Sequence, residues 1–268
     1  MADQTQPLKV TRDGGIVLIE LTRPDIRNPL NDDLKQAMDV TVRSLDGDRD
    51  VTAVILTGAD GVFSGGGDLK GMSRERQSGE YDGAEDYIAR MRKTHGWLRI
   101  LRDLPVPVIA AVDGACVGAG LSMALNCDLV IATPRAKFAA SFCKVGLVPD
   151  LGLFYTLPRI VGLQRARELF YTGRLFDAEE ALRLGMLLEI VPQADLMTRA
   201  WDIARQMEQS SSAAFALTKQ ISARAMDTDF ETLLSQELQA QSILLASRYN
   251  GEAVDRFTAK EPLLFNFR

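Results

Sequence analysis

The sequence is poor in the residues that bind metals or form disulfides. It has one histidine, His95, and three cysteines, Cys116, Cys127 and Cys143, among 268 residues. The cysteines form no CxxC pair and one histidine cannot complete a usual zinc ligand set, so we expect reduced thiols and no metal site. No run of about 18 apolar residues is present to span a membrane, and the polar N-terminus lacks the apolar core of a secretory signal. These absences predict a cytoplasmic protein.

Two common nucleotide-binding motifs are also missing. No glycine-rich segment fits GxGxxG or the Walker lysine pattern, which argues against dinucleotide and nucleoside triphosphate binding. The formal net charge of −5 argues against a nucleic acid partner, although it allows a local basic patch for one phosphorylated ligand. Hydrophobic residues make up 46% of the chain and charged residues 25%, which predicts a packed globular core.

Apolar strand patterns alternate with helical patterns before residue 192. Strands are predicted at 16–21, 51–57, 108–112, 129–133 and 187–191. Helices are predicted from Asn31 or Asp32 to Leu45 and at 84–102, 119–126, 156–173 and 178–185, with an exposed loop at 73–83. The alternation predicts the α/β class with largely parallel pairing and right-handed crossovers. Only helical patterns follow, so we divide the chain into a core, 1–197, and a helical region, 198–268.

Two glycine-rich turns, each directly after a predicted strand, are the first chemical candidates. One is FSGGGDL at 63–69, and the other is DGACVGAG at 113–120, which leads into a helix. Glycines let a ligand approach the backbone closely, and a helix start leaves N–H groups without partners. Two such turns at adjacent strand ends could aim one N–H each at a single oxygen, as an oxyanion hole does. Ordinary tight strand–helix turns are the alternative interpretation.

Five motifs follow the order and spacing of a known family: RPDIRNPLN, FSGGGDL, PVPVIAAVDGACVGAGLSMALNCDLVIAT, KVGLVPDLGLFYTLPRIVG and ARELFYTGRLFDAEEALRLGMLLEIVP. Over nearly its whole length the chain resembles the crotonase (enoyl-CoA hydratase/isomerase) superfamily. The resemblance implies a spiral of strand–strand–helix repeats with a helical C-terminal region used for trimerisation. It also implies an acyl-CoA thioester as substrate, no further cofactor, and a homotrimer or a dimer of trimers.

Matching the motifs position by position assigns the carbonyl-binding N–H groups to Gly67 and Ala119. Family members usually have glycine at the second position, but a backbone donor survives replacement by alanine. Arg27 and Lys70 match positions near the CoA phosphates, and solvated side chains are the alternative for both. The other residues expected to contact the substrate or CoA lie in the two turns and in the loop after residue 133: Ser64, Gly65, Gly66, Asp68, Leu69, Gly118 and Phe142. For Asp68, capping of the next helix is an additional prediction.

The residue expected to move a proton is inferred from a position where this chain departs from the family pattern. Family hydratases add water with two glutamates, and the matching positions here hold Ser122 and Phe142. Neither exchanges a proton near neutral pH in that role, although Ser122 could hydrogen-bond substrate or water. Asp150 matches the catalytic aspartate of dienoyl-CoA isomerases and other relatives, and burial beside Phe142 is expected to raise its pKa. The alternative for Asp150 is a turn residue after Pro149.

His95 shares a helical stripe with Ile88, Met91 and Leu98, which predicts an apolar environment rather than solvent. By resemblance, its position matches the histidine base of 4-chlorobenzoyl-CoA dehalogenase, whose nucleophilic aspartate falls at Asp150. An aspartyl-nucleophile mechanism is therefore conceivable. A buried structural histidine is the alternative.

The sequence as a whole predicts an isomerase that shifts the double bond of an enoyl-CoA through Asp150. An enoyl-CoA hydratase with a rearranged acid/base set is the second hypothesis. A CoA-thioester-binding protein without turnover is the third. The helical region carries more apolar side chains than one free helix should expose, and the resemblance implies that neighbouring subunits cover them: Phe230, Leu233, Leu234, Leu238, Ile243, Leu244 and Leu245.

Overall fold

The computed structural model describes residues 6–79 and 83–268. Its strands are β1 Leu8–Asp13, β2 Ile16–Leu21, β3 Ala53–Gly58, β4 Val108–Val112, β5 Ala115–Val117, β6 Leu129–Ala132, β7 Lys137–Ala139, β8 Phe176–Asp177 and β9 Glu189–Ile190. Its helices are α1 Asp32–Leu45, α2 Leu69–Ser78, α3 Ala84–Asp103, α4 Ala119–Ala124, α5 Leu153–Val161, α6 Leu163–Thr172, α7 Ala178–Arg183, α8 Leu196–Glu208, α9 Ser212–Ser222, α10 Phe230–Leu245 and α11 Arg248–Ala259.

The strands form two sheets. The larger has the order β1-β2-β3-β4-β6-β9, and its pairs are parallel except for β1 with β2. The smaller has the order β5-β7-β8. Two strands followed by a helix recur along the chain, as in β4-β5-α4 and β6-β7-α5. The predicted α/β class and the strand–strand–helix arrangement are therefore confirmed.

Both faces of the larger sheet are buried, as parallel sheets require. Along β2, Val17 and Ile19 join the main core while Ile16 lies in a second core on the opposite face. Helix α8 closes that opposite face with four buried side chains: Leu196, Ala200, Ile203 and Ala204. The sheet is thus held rigidly, and the turns at the ends of β3 and β4 project from a fixed base.

Several helices begin or end at the capping residues that the sequence predicted. Asn31 caps α1 by accepting a hydrogen bond from the Leu34 N–H at 3.0 Å, and Asp177 caps α7 through the Glu180 N–H at 2.9 Å. The helix predicted to stop at Gly173 does so, with Gly173 in the left-handed conformation at φ 53°. These boundaries confirm the predictions made from the capping residues.

Two predictions of local structure, one of a loop and one of a helix, were wrong in detail. The stretch 73–83, expected as an exposed loop, is helical up to Ser78, because Asp68 caps α2 and starts a helix in this polar sequence; residues 80–82 of that stretch lie outside the described residues. The segment 156–173, expected as one helix, belongs to α5 and α6, which are separated by Gly162 at φ 76°. A left-handed glycine ends a helix, so the chain turns there.

The C-terminal helices connect to the core through polar contacts. Arg159 of α5 pairs with Asp227 at 2.5 Å, and Lys219 of α9 pairs with Asp128 at 2.6 Å. Many apolar side chains of α10 and α11 remain exposed, including Phe257 at 72%. The division of the chain at residue 197 stays a prediction. None of the described helices has both the length and the apolar character needed to cross a membrane.

Candidate functional site

The first glycine turn is held by backbone hydrogen bonds on two sides. The Ser64 N–H donates to the Ala115 carbonyl at 2.7 Å, and the Val117 N–H donates back to the Ser64 carbonyl at 3.0 Å. On the other side, the Leu30 N–H donates to the Gly66 carbonyl at 2.8 Å. The turn therefore runs between its neighbours like a short extra strand, and its position depends on the second turn.

The two turns touch where their glycines stand. A Cβ atom on Gly66 would lie 2.6 Å from the Val117 carbonyl oxygen and 3.5 Å from the Ala119 nitrogen. Gly66 also has φ 95°, which L-residues with side chains rarely adopt. A Cβ atom on Gly120 would lie 2.7 Å from the Ser64 carbonyl oxygen. Glycine at both positions lets the backbones approach this closely.

The amides of Gly67 and Ala119 lie at this junction. Ala119 is the first residue of α4, so its N–H is one of those that a helix start leaves without an intrahelical acceptor. Within residues 6–79 and 83–268, neither amide donates a hydrogen bond outside the helices and strands. Gly67 is half-buried and Ala119 is buried. This arrangement meets the first requirement of an oxyanion hole, and that role stays a prediction.

Two apolar side chains border the junction. The Met72 Cε would lie 3.3 Å from a Cβ atom on Gly67, and the Phe142 Cζ would lie 4.0 Å from one on Gly118. Phe142 is 8% exposed. Phe142 was predicted from the sequence as a site residue, but Met72 was not. Met72 lies here because α2 begins directly after the first turn. Together they form apolar surroundings for the two amides.

Two serines expected near the substrate are buried in the structure. Ser64 is fully buried; its hydroxyl donates to the Asn28 carbonyl at 2.8 Å and accepts from the Gly66 N–H at 3.2 Å. Ser122 is also fully buried, and its hydroxyl donates to the Gly118 carbonyl at 3.3 Å. Both hydroxyls face inward and hold the two turns, and contact of these residues with substrate stays a prediction.

The remaining turn residues differ in accessibility. Asp68 accepts a hydrogen bond from the Gly71 N–H at 2.8 Å, which confirms it as the cap of α2. Leu69 and Lys70 are exposed on the first turn of that helix. Gly65 and Arg27 are exposed beside each other, with the Gly65 N–H donating to the Arg27 carbonyl at 2.7 Å. In the described part of the chain, neither Arg27 nor Lys70 forms an ion pair.

Asp113, which opens the second turn, is the strongest polar anchor of the site. Its carboxylate accepts from the Thr133 hydroxyl and from two nitrogens of Arg135, each at 2.6 Å. Burial acts to raise the pKa of Asp113, but the hydrogen bonds from Arg135 and Thr133 hold it below the usual value. The sequence alone gave no signal for this cluster, since its members lie 20 and 22 residues apart.

One carboxylate oxygen of the half-buried Asp150 has no hydrogen-bond partner, although the backbone N–H of Asp150 itself bonds to the carboxylate. Its Oδ1 is inaccessible to solvent and accepts no hydrogen bond in the described residues. Burial raises the pKa of Asp150 from 3.8 to about 6, while the Lys35 ammonium of α1 acts in the opposite direction. The raised pKa confirms the direction expected from burial. Unpaired buried carboxylates reduce stability, so Asp150 calls for a chemical explanation.

The position of Asp150 relative to the amides follows from helix α4. Ala119 opens this helix, and the residue after Asp150, Leu151, is hydrogen-bonded to Asn126 just beyond its end. A helix of 6 residues is about 9 Å long. The residue that follows Asp150 thus lies near the C-terminal end of the short helix whose first residue is Ala119.

The structure contradicts the prediction that His95 lies on the apolar face of its helix. The structure places it in solvent, whereas the buried stripe of α3 consists of Thr94, Trp97, Leu98 and Leu101. That stripe has the spacing i, i+3, i+4, i+7 starting at Thr94, and His95 stands one residue further, about 100° around the helix. Ile88, with which His95 was grouped, is itself 49% exposed. The histidine is therefore neither on the apolar face nor structural packing.

No cluster of three or more His, Cys, Asp and Glu side chains that could hold a metal ion occurs in the described ranges 6–79 and 83–268.

Comparison with known proteins decides the family. The model of the enoyl-CoA hydratase/isomerase family matches residues 11–267. The chain belongs to the enoyl-CoA hydratase/isomerase family. A crystal structure of an enoyl-CoA hydratase/isomerase from Cupriavidus metallidurans CH34 superposes with a TM-score of 0.90, at 32% identity, covering 99% of both chains. The crotonase-type fold inferred from the motifs is thereby confirmed.

Relatives with different names are similar to this enoyl-CoA hydratase/isomerase family member. The short-chain-enoyl-CoA hydratase of Clostridium acetobutylicum is 31% identical over 253 residues, which is 94% of each protein. The 1,2-epoxyphenylacetyl-CoA isomerase of Escherichia coli is 33% identical over 247 residues, 92% of this chain and 93% of the relative. Similarity of this degree shows the family and leaves the reaction to be argued from the site.

Replacing Gly66 by Ala tests whether the turns must touch. The new Cβ atom would be strained by φ 95° and would meet the Val117 carbonyl at 2.6 Å. Gly47→Ala is the matched control, since Gly47 has φ 82° with open space around it. We expect Gly47→Ala to lower the free energy of unfolding by about 1–2 kcal/mol, and Gly66→Ala by roughly 2 kcal/mol more, measured by urea denaturation. Equal losses would contradict the close approach of the two turns.

Replacing Asp150 by Asn is expected to stabilise the protein. Because the folded-state pKa is raised to about 6, burying the charged carboxylate costs stability above that pH, and the cost disappears as pH falls towards 3.8. At pH about 8 the free energy of unfolding of Asp150→Asn should exceed the wild-type value by about 1–3 kcal/mol. The excess should shrink through the window between these two pKa values. An excess that is independent of pH would show that the carboxylate is not buried as a charge.

Proposed function

We propose that this protein is an enoyl-CoA isomerase that moves a carbon–carbon double bond by proton transfer through Asp150. The amides of Gly67 and Ala119 bind the thioester oxygen, and the acyl group lies along α4 towards the carboxylate. The observation that carries the proposal is the unpartnered buried oxygen of Asp150, in a chain whose two hydratase positions hold a serine and a phenylalanine.

The reaction needs one carboxylate and no other reagent. Ionised Asp150 takes a proton from the α-carbon of a 3-enoyl thioester, and the electron pair spreads over the dienolate to the thioester oxygen. The two amides stabilise that oxyanion, each by about 3 kcal/mol. The protonated Asp150 then returns the proton to the γ-carbon, which leaves the double bond between the α- and β-carbons and restores the carboxylate.

The pKa of Asp150 suits both halves of this cycle. At about 6 the group is largely ionised near neutral pH and can act as base, yet its conjugate acid remains strong enough to return the proton. Desolvation is the main cause of the shift, as in other carboxylates that exchange protons in apolar sites. An aspartate serving only as a turn residue would have no reason to keep one carboxylate oxygen inaccessible to solvent and without a hydrogen-bond donor.

Hydration of an enoyl-CoA is the second candidate, favoured by the name of the Clostridium relative. Hydration requires one group to activate water and another to protonate the α-carbon. Ser122 already donates to a backbone carbonyl inside the protein, and Phe142 has no exchangeable proton. Asp150 would have to fill both roles, which makes the isomerase the better supported reaction.

Binding of the CoA moiety is proposed for the exposed cations beside the first turn. Arg27 and Lys70 stand on either side of residues 65–69 and form no ion pair in the described chain, so both can pair with phosphate oxygens. We further propose that the protein assembles as a homotrimer or a dimer of trimers. The support is the exposed apolar surface of α10 and α11, where Phe230 is 70% exposed and Leu238 69%.

A short-chain 3-enoyl-CoA incubated in D2O tests the reaction. We expect conversion to the 2-enoyl-CoA with deuterium at the α- or γ-carbon and no 3-hydroxyacyl product, measured by NMR. Asp150→Asn should lower turnover by at least about 10³-fold while the dissociation constant of the CoA ester changes less than about 3-fold. Asp103→Asn, which removes an exposed carboxylate at the end of α3, is the matched control and should keep full turnover.

Other outcomes separate the alternatives. A 3-hydroxyacyl-CoA product without isomerisation would favour the hydratase. A CoA ester that binds and stays unchanged across a panel of acyl groups would favour a binding protein. Wild-type turnover in Asp150→Asn would show that another group carries the proton.

A further inference from the structure

Asn126 connects the two halves of the proposed site through one side-chain amide. It stands just beyond α4 and is 6% exposed. Its Nδ2 donates one hydrogen bond to the Ser122 carbonyl at 2.7 Å and a second to the Leu151 carbonyl at 2.9 Å. Both hydrogens of the amide are therefore used, one on the helix that begins with Ala119 and one on the residue that follows Asp150.

The loop that Asn126 holds has an unfavourable backbone. Leu151 has φ 51° and Gly152 has φ 74°, two left-handed residues in succession. Leucine rarely adopts this conformation, because its Cβ atom approaches the carbonyl oxygen. Such a conformation persists only where the surroundings hold it. The hydrogen bond to the Leu151 carbonyl acts on this peptide unit directly, and the fully buried Leu151 side chain anchors it from the other side.

The orientation of the Asn126 amide is fixed from a third element. The Arg102 Nη1 of α3 lies 3.4 Å from the Asn126 Oδ1, and the Arg102 guanidinium stacks 4.6 Å from the centre of the Tyr155 ring. A guanidinium has only donors, so the atom that faces it must be the amide oxygen. The Nδ2 then necessarily faces the two carbonyls.

We propose that Asn126 is a positioning residue that sets the place of the Asp150 carboxylate relative to the two amides at the start of α4. This inference rests on the proposed function of Asp150. Asn126 does not touch the reacting atoms; it ties the carbonyl of Leu151, the residue after Asp150, to the last turn of the helix whose first turn binds the oxyanion. Arg102 supports it by holding the amide in the donating orientation.

The consequence for catalysis is geometric. Proton transfer requires the carboxylate within hydrogen-bond reach of the carbon-bound proton, and a displacement of about 1 Å can cost about 10²-fold in rate. Without Asn126, the Ser122 and Leu151 carbonyls lose their side-chain donor, and the left-handed loop can relax. The amides of Gly67 and Ala119 and the exposed cations Arg27 and Lys70 are unaffected, so binding of the CoA ester should persist.

Asn126→Leu is the direct test, since leucine has a similar size and no donor. We expect kcat to fall by about 30- to 100-fold while KM and the dissociation constant of the CoA ester change less than about 3-fold. Arg102→Met removes the orienting guanidinium, and with it the stacking on Tyr155, at a half-buried position, and should lower kcat by roughly 3- to 10-fold. Thr57→Val is the control: it removes a buried donor to the Ala111 carbonyl, 2.8 Å away, outside the loop, and should keep wild-type kcat.

A second readout is independent of turnover. In protein with 13C-labelled aspartate, the Asp150 carboxyl should titrate near 6 in the wild type and closer to 3.8 in Asn126→Leu, because a relaxed loop exposes it to water. The Lys35 ammonium of α1 is the charged group that acts on Asp150 in the described chain, and neither variant alters it. Thr57→Val should titrate as the wild type does.

The results separate this inference from the proposed function. Wild-type kcat and an unchanged Asp150 titration in folded Asn126→Leu would overturn the positioning role. If Asn126→Leu does not fold, wild-type kcat and titration in Arg102→Met would overturn it equally. If the wild type itself fails to exchange protons with the thioester, the proposed function is wrong, and the titration alone then decides whether Asn126 sets the place of Asp150.

Discussion

Backbone hydrogen bonds between the two glycine turns are the constraint on which the site depends. The bonds between Ser64 and residues 115–117 make the end of β3 and the end of β4 into one structure. This pairing is possible only because Gly66 and Gly120 have no side chain at the contact. Two amides from distant parts of the sequence thereby become neighbours, and the Ser64 and Ser122 hydroxyls add hydrogen bonds within the turns that carry them. Asp113 and Arg135 reinforce the same junction from the surface.

Stability and chemistry compete at Asp150. A buried carboxylate oxygen without a donor destabilises the fold, and the Lys35 charge together with a hydrogen bond from the Asp150 backbone compensates only in part. The left-handed Leu151 adds to this cost. The unsatisfied carboxylate oxygen and the left-handed Leu151 are both explained if the carboxylate must accept and return a proton in apolar surroundings. The serines at 64 and 122, by contrast, have satisfied hydroxyls, whereas Asp150 is the one acid in the described residues with an unsatisfied buried oxygen, which supports the proposal that it carries the proton.

Much of the fold can be predicted from local sequence patterns, but only part of the candidate site can. Strand β4 and the Asn31 cap were predictable because apolar runs and capping side chains act locally. Strand β1 was missed because its exposed side chains give no apolar run. The glycine spacing predicted both turns, but the prediction for His95 was wrong, because the buried stripe of α3 starts at Thr94, one residue before it. Asn126 carried no sequence signal, since its acceptors are backbone carbonyls.

If the amides of Gly67 and Ala119 polarise one thioester oxygen, as proposed, the carbonyl stretch of a bound acyl-CoA reports this most directly. Isotope-edited infrared difference spectra of a 13C=O-labelled, unreactive saturated acyl-CoA would be recorded free and bound to the protein. We expect a clear shift of the bound carbonyl to lower frequency, and the same shift in Asp150→Asn. A carbonyl that keeps its solution frequency when bound would contradict it, because no hydrogen bond would then reach the oxygen.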